Sequence, residues 1–133
     1  MVKDGALKII DFQDARMGLC QYDLASLLRD SYFELQEDLV CDLIEYYILS
    51  IEKLEGRKVH RERFRRNFDL IAIQRNFKAV GTFAYQATVR KTDRYLDNIP
   101  RTLSYVKKTL DSLPDLFRFR QALGRYIPEI LPS

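Results

Sequence analysis

From Tyr22 onward the apolar residues of this chain recur every third or fourth position, and that period commits most of it to helices packed against one another. A first helix of roughly ten residues is predicted from Tyr22, with Leu24, Leu27, Leu28 and Tyr32 on one face and Asp23 and Asp30 off it. A longer one carries Leu39, Leu43, Tyr47, Ile51 and Leu54, with Val40, Ile44 and Ile48 alongside, and Gly56 supplies its stop. The third pattern starts near His60 and runs to about Arg90 on Phe64, Phe68 and Ile71, then Leu70, Ile73, Phe77, Val80, Ala84 and Ala87. Its stripe drifts around the axis, as in a central helix touched on several sides. Gly81 inside it costs about 1 kcal/mol against alanine, so a close helix crossing or a break is expected there. After the polar link Lys91 to Arg94, the residues Ile99, Leu103, Val106, Leu110 and Leu113 form another stripe, and Pro100 suits its first turn. Ser112-Leu113-Pro114-Asp115 reads as an S-x-x-D cap opening a last helix with Leu116, Phe119 and Leu123, ended by Gly124. Pro128 and Pro132 then mark an irregular tail.

Before Tyr22 the pattern differs. Asp4-Gly5 lies between Met1-Val2-Lys3 and Ala6-Leu7-Lys8-Ile9-Ile10, the signal of a two-residue turn between strands, and the second strand would deliver Asp11. The expected fold is therefore mainly α with a short N-terminal β-hairpin, in one α-rich domain over residues 1–133, a length that suits a single core. The net charge of +3 is a small difference between 22 basic and 19 acidic residues, interspersed throughout, which argues against a nucleic-acid partner. In the basic run His60-Arg61-Glu62-Arg63-Phe64-Arg65-Arg66 a solvated helix face is the simpler reading, with His60 as a helix-start residue. Cys20 and Cys41 lack C-x-x-C spacing and read as reduced, partly buried thiols. No signal-peptide core or apolar run of membrane-spanning length stands out, so a cytoplasmic protein without a membrane partner is expected.

The chemistry gathers in Ile10-Asp11-Phe12-Gln13-Asp14-Ala15-Arg16-Met17-Gly18 and Tyr22-Asp23-Leu24-Ala25-Ser26-Leu27-Leu28. A carboxylate at a strand end ahead of a helix is placed to bind Mg²⁺, and Asp11 has that position, although a turn or cap role fits the same pattern. Asp14 is a second ligand or an Asx-turn residue. Asp23 caps the first helix or accepts hydrogen bonds from a neighbouring backbone loop.

These two stretches resemble the metal-binding segment of the aminoglycoside phosphotransferase and choline kinase-like family, in particular its bacterial branch that phosphorylates cell-wall amino sugars at the anomeric hydroxyl. Gln74-Arg75-Asn76-Phe77-Lys78-Ala79-Val80-Gly81-Thr82-Phe83, with Arg94-Tyr95-Leu96 and Ile99-Pro100-Arg101, resembles the same branch. The resemblance covers roughly residues 1 to 110 and implies the C-terminal lobe of a protein-kinase-like fold. It implies Asp11 as the Mg²⁺ ligand that bridges ATP phosphates, Asp23 as a brace of the catalytic loop, and a sugar or amino-sugar acceptor. Arg75 or Lys78 could lie near an anionic or sugar ligand, or equally serve as surface ion-pair residues. The family's catalytic Asp, its second metal ligand Asn and its nucleotide lobe have no counterpart in these residues. The expectation is thus a C-terminal part of a small-molecule kinase, inactive by itself and contributing no catalytic base. A stand-alone helical interaction module that dimerises through exposed lobe surface is the alternative.

Overall fold

The computed structural model describes residues 2–3, 5–7 and 17–132. Among them are five α-helices: α1 (Gln21–Leu28), α2 (Glu37–Glu55), α3 (Arg61–Thr88), α4 (Ile99–Asp111) and α5 (Phe117–Gly124). Short 3-10 turns occupy Asp93–Asn98, Pro114–Leu116 and Pro128–Ile130. The chain is mainly α. Val2–Lys3 and Ala6–Leu7 pair antiparallel around Gly5, whose φ of 73° suits glycine, but two residues a side form no layer of the fold. A hairpin carrying Asp11 to a strand end is not seen, since Asp11 and Asp14 both lie outside the described residues.

Each helix begins and ends for local reasons. Glu37 and Asp38 place carboxylates in the first turn of α2, where the helix dipole favours them. Gly56 closes α2 in the left-handed conformation at φ 66°, its N–H donating to the Glu52 carbonyl at 3.0 Å. His60 starts α3 by accepting the Arg63 N–H on Nδ1 at 3.3 Å, and Pro100 sits in the first turn of α4.

The long helix α3 joins two apolar clusters. Its Phe64, Phe68, Ile71 and Ala72 meet Leu24, Ala25 and Leu28 of α1 and Val40, Ile44 and Ile48 of α2. Further along, Ile73 joins Leu103, Val106 and Leu110 of α4, with Leu113 and Ile130 closing the second cluster. The drifting stripe on α3 is this change of partner along its length.

Several sequence expectations are corrected in detail. The inward face of α1 is Gln21, Leu24, Ala25 and Leu28, whereas Leu27 is 69% exposed and Tyr32 lies beyond the helix. Gly81 marks neither a crossing nor a break: α3 runs through it, and a Cβ there would meet open space. Ser112 does not open the last helix. It ends α4, its hydroxyl donating to the Thr109 carbonyl at 2.7 Å, while Asp115 turns away to pair with Arg66 at 2.6 Å. Phe119, on the last helix, is exposed.

The tail is not loose either. Ile130 is fully buried, and Arg120 donates from Nε to the Ile130 carbonyl and from Nη1 to Asp111, both at 2.6 Å. Leu131 lies so close to Gly124 that a side chain at that position would run into it.

Candidate functional site

The two sequence motifs meet across one cleft. Tyr22 and Ser26 recur at helical spacing on one face of α1, which Arg29 caps, while Arg75, Lys78, Ala79 and Thr82 do so on the facing side of α3. Ala25 and Ala72, each 1% exposed, are small enough to let the two helices approach. Between them lies a cavity of about 280 Å³ lined by Ser26, Asp30, Arg75, Asn76, Lys78 and Thr82 among others.

The walls of the cleft are fixed by specific contacts. Ser26 Oγ donates to the Tyr22 carbonyl at 2.7 Å, and the Arg75 guanidinium lies 4.6 Å from the centre of the Tyr22 ring. Past α1, Asp30 Oδ1 accepts the Tyr32 N–H at 2.6 Å, and Arg101 Nη1 donates to the Tyr32 carbonyl at 3.0 Å. Arg29 grips Glu37 with two hydrogen bonds of 2.8 and 2.6 Å, which hold the Glu37 carboxyl below the usual carboxylate range. Tyr32, Phe83 and Tyr95 form an aromatic end wall, the Phe83 and Tyr95 rings stacked at 5.8 Å. Asn76 is 3% exposed, and its Nδ2 has no hydrogen-bond partner among the described residues.

Asp23 is exposed in the first turn of α1 and does not line the cavity, and its carboxylate has no hydrogen-bond partner among the described residues. Among the described residues no three His, Cys, Asp or Glu side chains gather to hold a metal ion. The cleft therefore unites Arg75 and Lys78 with the Tyr22 to Leu28 motif, whereas Asp11 and Asp14 fall outside the described residues.

Sequence reasoning missed Asn76, Asp30 and the aromatic wall. Asn76 did leave a signal, because a polar residue shares a helical stripe with Ala72 and Phe83. Asp30 left none. It follows the last turn of α1, and the Asx turn that aims it becomes evident only in the fold.

A second cavity of about 500 Å³ lies between α2, α3 and α4. It holds none of the sequence-singled acids, but it is lined by Asp69, whose carboxyl is pushed up to about 6, chiefly by burial. Within the basic run Arg61 pairs with Glu45 and Glu52, and Arg66 with Asp115. No helix among the described residues is long and apolar enough to cross a membrane.

Comparison with known proteins places this cleft in context. No protein-family model and no solved structure matches the chain. It is 36% identical over 110 residues to the N-acetylmuramate/N-acetylglucosamine kinase of Neisseria meningitidis serogroup B, covering 81% of this chain and 33% of that one. The kinase of the same name from Pseudomonas putida is 31% identical over 124 residues, 92% of this chain and 35% of the relative. The chain is a distant homologue of these kinases. A third, from Pseudomonas aeruginosa, is 29% identical over 117 residues, again 35% of its length. The chain thus spans about a third of the length of the relatives it matches, and the amino-sugar kinase likeness read from the two motifs is borne out.

Proposed function

We propose that the chain is the acceptor-side, C-terminal part of an ATP-dependent amino-sugar kinase. The observation that carries this reading is its 36% identity to an N-acetylmuramate/N-acetylglucosamine kinase over 81% of its own length. The cleft supports it physically. A cavity of about 280 Å³ suits one sugar ring, its lining mixes hydroxyl, amide and charged groups, and an aromatic wall closes one end.

In this reading Asp11 is a ligand of the Mg²⁺ that bridges the nucleotide phosphates, the role its motif resembles. Asp23 braces the catalytic loop: its exposed carboxylate, unused by the described residues, has acceptor capacity to spare for backbone N–H groups upstream. The cleft holds the sugar so that its hydroxyl faces the transferring phosphoryl group. Catalysis of this kind is mostly positioning and charge neutralisation, which is why one part of the enzyme can carry acceptor recognition without carrying the chemistry.

The test exchanges this chain for the corresponding third of the Neisseria kinase. The chimera is expected to phosphorylate an amino sugar with ATP and Mg²⁺, and this chain alone to show no turnover. Asp11→Asn in the chimera should lower kcat by at least about 100-fold, the scale of losing one electrostatic partner of the transition state. A folded chimera without transfer, or an Asp11→Asn variant with full activity, overturns the reading.

A further inference from the structure

We propose that Arg75 and Lys78 are specificity-determining residues of the α1–α3 cleft, selecting acceptors that bear a carboxylate over neutral ones, while the Asn76 amide reads an uncharged oxygen of the same ligand. This deepens the amino-sugar reading and rests on it.

The first ground is charge left unspent. Arg29, Arg61, Arg66 and Arg120 each meet a carboxylate within the fold, at 2.6 to 3.1 Å. Arg75 and Lys78 have no carboxylate partner among the described residues, although both line the cavity from one face of α3. Arg75 instead lies over the Tyr22 ring. That contact orients the guanidinium and leaves its planar N–H fork available for the two oxygens of a carboxylate. Lys78, one turn further along, adds a second positive charge with adaptable donors. Asp30, the acid in the same lining, already has Oδ1 committed to the Tyr32 N–H at 2.6 Å.

The second ground is independent of charge. Asn76 is 3% exposed, lines the cavity, and holds an Nδ2 with no hydrogen-bond partner among the described residues. A buried amide donor left unpaired is a standing cost, which a carbonyl or hydroxyl oxygen of a ligand would remove. The cleft therefore offers one neutral donor beside two cations. An N-acylated sugar with an acidic side arm complements both, whereas a neutral amino sugar complements only the amide.

Titration of the chain itself, followed by ¹H–¹⁵N NMR, tests this with three probes: N-acetylmuramate, N-acetylglucosamine and inorganic phosphate. N-acetylmuramate should bind about tenfold more tightly than N-acetylglucosamine at low salt, with shifts confined to the cleft and the advantage shrinking as salt is added. Arg75→Gln with Lys78→Gln should erase the difference by weakening N-acetylmuramate about tenfold more than N-acetylglucosamine, since only the acidic sugar loses an ion pair. Asn76→Leu is the second arm. It should be no less stable than the parent, because an unpaired amide is replaced by an apolar group of the same branched shape, yet bind both sugars more weakly.

Equal affinities for the two sugars, or a preference that survives in the folded double variant, overturn the inference and leave the kinase reading standing. Phosphate alone reproducing the Arg75 and Lys78 shifts and competing with the sugar acid also overturns it, by assigning the cations to a phosphoryl group. Neither sugar perturbing the cleft overturns the inference together with the acceptor site on which it rests.

Discussion

Asp69 is a carboxyl held where a carboxylate is unwelcome. Burial pushes it up to about 6, Arg29 and Arg65 pull against that shift, and Glu37 reinforces it. A folded pKa above the unfolded value near 3.8 means that the native state holds more protons between pH 3.8 and 6, so stability falls as pH rises through that window. Asp69→Asn should remove this fall and stabilise the protein above pH 6 by on the order of 1 kcal/mol, the full shift being discounted for partial solvent screening. Urea titrations at pH 4 and pH 7 check it: the variant's gain must be larger at pH 7. Glu52 works in the opposite sense. The Val59 N–H, then Arg61 and Lys58, hold its carboxyl down at about 2, so its contribution is present above pH 4.5 and is lost as pH falls toward 2. Gly81 makes a simpler case. Its backbone is helical and the space beside it is open, so Gly81→Ala should raise stability by about 0.4–1 kcal/mol, and a thermal melt showing a loss would contradict that geometry. The sequence showed a helix with a glycine in it. Whether a neighbour occupies the missing side chain's place is a tertiary fact, which local pattern does not carry.

At the scale of elements, helix existence was legible and helix junctions were not. The α2 stripe with its Gly56 stop, and α3 from His60, follow from period and cap chemistry that act within one turn. The α4–α5 junction does not. Ser112-Leu113-Pro114-Asp115 satisfies a capping pattern, but Ser112 finds the Thr109 carbonyl behind it, and Asp115 finds Arg66 across the fold from α3. Both partners were invisible to a local reading. The tail is irregular as its prolines imply, but its packing was hidden for the same reason, since Arg120 clamps it to α4. Arg120→Met keeps the apolar stem and removes both hydrogen bonds. It should cost about 2 kcal/mol, the scale of a charge-assisted hydrogen bond to a buried carbonyl, and raise amide exchange from Ile127 to Leu131 before that of α3. Unchanged exchange in the tail would show that the Ile130 side chain holds it without the arginine.

Across the whole molecule the two motifs quoted from the sequence, Tyr22 to Leu28 and Gln74 to Phe83, become opposite walls of one cleft. Their chemistry was legible separately. Their facing was not, because it depends on Ala25 and Ala72 letting α1 and α3 approach, and alanines on a helix leave no distinctive period. The arrangement also sets the cooperativity of the fold. One cluster ties α1 and α2 to the first half of α3, the other ties α4 and the tail to the second half, and α3 is continuous between them. A continuous helix transmits loss of packing from one cluster to the other, because its second half cannot hold helical register once the first is solvated. Phe68→Ala in the first cluster should cost about 3–5 kcal/mol and Leu110→Ala in the second about 2–5 kcal/mol, and each should shift a single unfolding transition. Far-ultraviolet circular dichroism and tyrosine fluorescence would then give coincident urea midpoints for the parent and for both variants. If Leu110→Ala instead exposes the α4 amides to exchange while those of α1 and α2 stay protected at the parent's level, the clusters unfold independently and α3 breaks between them.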